Sequence, residues 1–225
     1  MIYTVCGILF MLLLFVFVYT RQPKNNRVSL FTCLIAALLG GIPGFFIAFY
    51  FQIFVSAYFI RYISDPTIRS LVENFLIIAL SEEMLKYLSA IIASRKKSLS
   101  RSNYIAVFAA AGLGFEIMES SMQMSDALSM IVRCVLAIHI ALQICMGSLY
   151  SKNHKVLACL VPILIHGAYD YGLGSSFKGL IINSSGDDAL LVLGVAVGGI
   201  CFLIWSLIHA NSVGKQESKE SIKEM

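Results

Sequence analysis

Apolar residues run along this chain in blocks of about twenty, separated by short polar or basic stretches. The blocks are Met1–Thr20, Val28–Ile60, Leu71–Ala93, Asn103–Met122, Leu128–Tyr150, Val156–Gly174 and Ala189–Ala210. At about 1.5 Å of rise per residue, each block can carry a helix across a hydrocarbon layer of about 30 Å. The pattern predicts an all-α polytopic membrane protein, a bundle of about seven transmembrane helices forming one domain over residues 1–210. GGIPG (Gly40–Gly44) lies inside the second block, where a proline bends a helix, so Val28–Ile60 reads as one long, tilted and bent span. The first block lacks a basic leader and a small-residue cleavage site, so it reads as a retained span. Ser175–Asp188 reads as a polar outer loop. Residues 211–225 read as a short charged tail, solvated or frayed where lysine and glutamate alternate from Lys215.

Composition sharpens this picture. The chain is 58% hydrophobic and 13% charged, with mean hydropathy +0.82, which excludes a soluble globular domain. Its net charge of +4 is modest and spread over loops; nothing in it points to a nucleic-acid partner, and membrane lipid is the surrounding phase. One set of loops holds Arg21, Lys24, Arg27, Arg95, Lys96, Lys97, Arg101, Lys152 and Lys155. The other holds Arg61, Arg69 and Lys178, diluted by Asp65, Asp126, Asp187 and Asp188. This bias predicts a multi-pass protein of the cell membrane with its N-terminus outside and its C-terminus in the cytoplasm. The six cysteines stand singly in apolar runs with no CxxC pair, so they read as small hydrophobes. No internal repeat is apparent, which weighs against an inverted-repeat transporter.

The chemistry lies in polar residues inside the apolar blocks. Glu82, Glu83 and Lys86 interrupt IIALSEEMLKYLSAIIA (Ile77–Ala93), and on a helix Lys86 reaches either glutamate. Glu116 and Glu119 share one face of the fourth block, behind Gly112 and Gly114, which permit close helix approach. His139 and Gln143 share a face of the fifth block. Arg133 lies nearer its outer end and reads as a supporting partner. His166 and Asp170, four apart on the sixth, suit a carboxylate orienting an imidazole. Counting inward from the outer ends puts Glu82, His139 and His166 about 12–20 Å deep. One such group is commonly a structural pair. Several on four spans at compatible depth call for a shared polar cavity. Glu73 with Asn74 reads as interfacial, and His154 and His209 as uninvolved.

A buried carboxylate can activate water, and histidines can hold a metal or stabilise an oxyanion, so a peptide-bond hydrolase fits these parts. No GxSG, GxGD or HExxH motif is present. Two readings of other classes use the same residues: a proton-coupled transporter with a Glu/His relay, and a catalytically inactive membrane scaffold or immunity-type protein.

SEEMLKY (Ser81–Tyr87) resembles the EExxK motif of the PrsW family of intramembrane proteases, relatives of the CPBP superfamily that includes the CAAX-prenyl endopeptidases. GLGFEIMES (Gly112–Ser120) is similar to its GFAxxEN segment, RCVLAIHIALQICMGSLY (Arg133–Tyr150) to its R…H…G segment, and LIHGAYD (Leu164–Asp170) to its LHxxxD. Together the four, in order, cover most of Ser81 to Asp170. The resemblance implies that Glu82 and Glu83 include the water-activating base, that Lys86 is its positive partner, and that Glu119, His139, His166 and Asp170 complete the site. Glu116 replaces the usual alanine and Ser120 the usual asparagine. The resemblance also implies a single-pass substrate, an anti-sigma factor cut first on its outer side in envelope-stress signalling. His139 and His166, with Glu119 or Asp170, would suffice for an open zinc site; a metal-free site, with glutamate activating water and histidines stabilising the oxyanion, is the alternative.

Overall fold

A computed structural model describes residues 2–95, 99–123, 137–182 and 186–223, with side chains except at 123, 173–182 and 186–193. Among these residues the chain is all helical, as its pattern of apolar blocks predicts, and folds as seven rods. Four described segments are long and apolar enough to cross a membrane: Ile2–Thr20, Leu30–Tyr62, Arg101–Met122 and Gly194–Lys223.

Helix α1 (Ile2–Thr20) buries Gly7, Met11, Phe15 and Val18, spaced as one helical face, and leaves the rest of its apolar surface outward. The second rod joins α2 (Leu30–Leu39) to α3 (Phe45–Tyr58) through a π turn at Gly40–Gly44. Pro43 has no N–H to give, and the wider turn absorbs it without breaking the rod. The glycines there have a second purpose. A Cβ on Gly40 would stand 2.5 Å from the carbonyl oxygen of Ala111, and one on Gly114 would collide with the carbonyl of Ala37. Small residues on both sides let α2 lie directly against the central helix.

The third rod starts at Pro66, where Asp65 accepts from the amides of Thr67 and Ile68 at 2.8 and 2.9 Å. It comprises α4 (Pro66–Leu71), a π segment (Val72–Ala79) and α5 (Leu80–Ser94). The central rod, α6 (Arg101–Gln123), is buried almost continuously from Ile105 to Phe115 and packs on α1, α2, α5 and α7. Helix α7 (Ile138–Ser151) is buried at every residue from Ile138 to Ser148. Asn153, with φ of 64°, turns the chain into α8 (Lys155–Ile182). Helix α9 (Gly186–Lys223) closes the bundle.

Two stretches differ from expectation. Helix α8 runs to Ile182 and α9 resumes at Gly186, so most of the expected outer loop Ser175–Asp188 is helical. The charged tail also stays helical through Lys223. Gln216 donates to Glu220 one turn on at 3.2 Å, and Glu217 accepts from the Ser102 amide at 3.1 Å and the Ser100 hydroxyl at 3.0 Å. A carboxylate at the N-terminus of α6 satisfies exposed amides and opposes the helix dipole. Arg133 lies outside the described residues.

Candidate active site

Helix α5 sets the site. Its three- and four-residue spacings put Glu83 and Glu82 beside Lys86, whose Nζ lies 2.6 Å from Glu83 Oε1 and 3.5 Å from Glu82 Oε2. The ammonium is fully buried, and its third direction is taken by Nδ1 of His139 on α7, at 2.7 Å. It also lies 4.3 Å from the centre of the Phe115 ring on α6. All three N–H bonds of Lys86 therefore have acceptors.

The glutamates differ sharply. Glu83 is fully buried and accepts from Lys86, from Nε2 of Gln143 at 2.7 Å and from Nδ1 of His166 at 2.9 Å. Glu82 borders a cavity of about 190 Å³ between α3 and α6. Its Oε1 accepts from Gln52 on α3 at 3.2 Å, and its Oε2 lies 4.0 and 3.9 Å from Nε2 of His139 and His166.

The two imidazole rings sit edge to face, 4.9 Å apart. Nε2 of His139 meets Glu119 at 2.8 Å, with Glu116 at 3.9 Å; Nε2 of His166 meets Asp170 at 3.2 Å. Ser120, standing where the resemblance has asparagine, donates to Glu116 at 2.9 Å. Glu82, Glu83, Glu116, Glu119, His139, His166, Asp170 and Lys86 thus meet in one place, drawn from α5, α6, α7 and α8. The five carboxylates and single ammonium leave four negative charges in excess while the imidazoles are neutral. Such an excess away from bulk water calls for cations, as protons or as a metal ion.

The donor set fits a metal in type and spacing. Glu82, His139 and His166 each offer one ligand atom, all within 4.8 Å of one another, the two-histidine, one-carboxylate set of an open zinc site. The expected third donor was Glu119 or Asp170. Each of those contacts one imidazole, whereas Glu82 lies about equally far from both.

Close backbone approach makes the convergence possible. A Cβ on Gly112 would lie 2.7 Å from Cγ of Gln143 and 2.8 Å from the His139 carbonyl, so α6 and α7 meet only over a bare residue. On α8, a Cβ on Gly167 would reach the Phe75 ring at 2.5 Å. Gln52 and Phe115 were not singled out from sequence; for Gln52 the signal was a lone amide within FFIAFYFQIFVSAY (Phe45–Tyr58). Glu73 accepts from Ser56 at 3.4 Å, away from this group, and His209 bonds Ser148 at 2.7 Å.

A family model described as PrsW family intramembrane metalloprotease matches residues 29–205, a stretch that includes every residue of this cluster. No curated protein and no solved structure matches the chain. The chain belongs to the PrsW family of intramembrane metalloproteases.

Proposed function

We propose that this family member hydrolyses a peptide bond in a single-pass membrane protein, with Glu82 at the reacting end of the site and Glu83 organising it. The observation that carries this reading is the asymmetry of the pair. Glu83 is saturated by three donors and sealed off, while Glu82 is held at 3.2 and 3.5 Å and borders the cavity. A carboxylate with its oxygens occupied is a poor proton acceptor; one with free lone pairs beside a space for water can serve as general base.

Glu82 takes a proton from a cavity water whose oxygen adds to the scissile carbonyl carbon. Lys86 has no lone pair, so Nδ1 of His139 is the acceptor of their hydrogen bond and Nε2 carries the proton. That N–H turns from Glu119 to the oxygen that becomes negative. Collapse of the adduct breaks the C–N bond, and the proton held by Glu82 passes to the leaving amine.

Glu82, His139 and His166 would hold a metal, with zinc suited to the donors. When bound, the ion would polarise the carbonyl and acidify its water. His166 is anchored through Nδ1 by Glu83, the usual support for a ligand histidine. For Nε2 of His139 to face an ion, the Lys86–His139 pair would have to lose one proton, which Glu119, 2.8 Å from Nε2, would pass on to water in the cavity. With that proton gone from the site, Glu119, also on the cavity wall, would be the base in place of Glu82.

The family resemblance supports kinship to the CPBP proteases and an anti-sigma factor as substrate, cut from the outer side. The loop charges support an N-terminus outside and residues 211–225 in the cytoplasm. Co-expression with a single-span protein tagged at both ends tests the reading. Wild type is expected to separate the tags, and His166→Ala to insert equally and leave them joined. Separation by both at one rate would overturn it.

A further inference from the structure

Helix α3 is aromatic nearly all round, with Phe46, Tyr50 and Phe54 exposed on its outer surface. Its inner face is different. Phe45, Ala48, Phe49 and Gln52 follow one another at helical spacing and line the cavity beside Glu82. Phe45 packs edge-on against Phe115 with ring centres 5.5 Å apart, and is stacked with Phe49 at 6.0 Å, so neighbouring rings brace these walls. Ala48, between two phenylalanines, withholds the bulk that would fill the space. The cavity measures about 190 Å³. A dry apolar cavity of about 150 Å³ admits benzene, so this one takes a single large side chain.

We infer that this cavity is the subsite for a large apolar side chain of the substrate, of the leucine or phenylalanine class, at a position flanking the cut bond. The inference rests on the peptidase reading above. Its walls are apolar on the α3 side and polar where Glu82 and Glu119 reach it, so a seated side chain brings its own backbone to the reacting groups. Gln52 supplies the junction. Its amide N–H groups are spent on Glu82 and Ser81, while its carbonyl oxygen has no partner among the described residues. An extended substrate segment in the membrane has amide N–H groups to satisfy, and this oxygen accepts one. Phe49, 39% exposed, stands where the cavity meets the outer surface, and the side chain enters from the α3 side.

The test uses purified full-length protein and single-span substrates carrying Ala, Leu, Phe or Trp at each position flanking the cut in turn. Wild type is expected to prefer Leu or Phe over Ala by at least tenfold in kcat/KM at one of these positions. Ala48→Val narrows the cavity and is expected to lower the Phe-to-Ala ratio about tenfold. Phe49→Ala widens it and is expected to raise Trp relative to Leu. The two variants move the preference in opposite directions, which a general packing defect does not do. Ratios unchanged in both variants, with wild type active, overturn the subsite and leave the peptidase reading standing. A wild type that cuts none of the series overturns the reading beneath it.

Discussion

Nζ of Lys86 lies 2.7 Å from Nδ1 of His139, joining two buried side chains 53 residues apart in the sequence. This contact locks α5 to α7 and fixes which nitrogen of His139 carries the proton. It also sets the ammonium against Nδ1 of the ring, while Nε2 meets Glu119, and the same ammonium lies 3.5 Å from Glu82.

Removing that charge leaves Glu83 buried and uncompensated. Lys86→Met is expected to destabilise the protein by about 3–5 kcal/mol and to abolish proteolysis. Adding Glu83→Gln removes the stranded charge and is expected to recover much of the stability without activity. Thermal unfolding in detergent, run beside a cleavage assay, checks both; a double variant no more stable than the single contradicts the ion-pair account.

Gly112 tests how tightly the site depends on helix approach. Gly112→Ala forces a Cβ against Gln143 and the His139 carbonyl, and is expected to cost about 1–3 kcal/mol and at least tenfold in turnover. A Cβ on Gly198 meets nothing within 4 Å, so Gly198→Ala is expected to be neutral in both assays. Equal effects of the two would show that helix propensity, not the close crossing, sets the outcome.

Metal content separates the donors. Elemental analysis of purified protein and its variants is expected to show that any ion held by the cluster is lost in His139→Ala, His166→Ala and Glu82→Ala but retained in Asp170→Asn, since Asp170 meets His166 and is not one of the three donors. Retention of the ion by the Glu82 variant would move the third ligand elsewhere.

The tail offers a prediction independent of chemistry. Glu217→Ala removes the acceptor for Ser102 and Ser100 at the start of α6, at a cost of about 1 kcal/mol. Limited proteolysis is expected to cut the end of α9 sooner, with substrate cleavage unchanged.

Much of this was legible in the sequence because the bilayer makes polar residues conspicuous. Charged and imidazole groups in apolar blocks identified four helices of the cluster, and their spacing identified the shared faces. The unequal duties of Glu82 and Glu83 were not legible, since neighbours in sequence differ in which helices surround them. Gln52 was missed because one amide on an aromatic helix carries little signal until α3 is seen to face Glu82. The helical tail was missed because alternating lysine and glutamate reads as solvated unless a docking site such as Ser102 is known. The place of Arg133 lies outside the described residues.

Glu82→Gln tests the central claim most directly, since it keeps the side chain's size and one of its two accepting oxygens while removing the proton acceptor and the negative charge. Purified in parallel with wild type and given the doubly tagged substrate, the variant is expected to fold and bind substrate normally while its cleavage rate falls at least a hundredfold, about the contribution of a general base. Cleavage at the wild-type rate by Glu82→Gln would contradict the account.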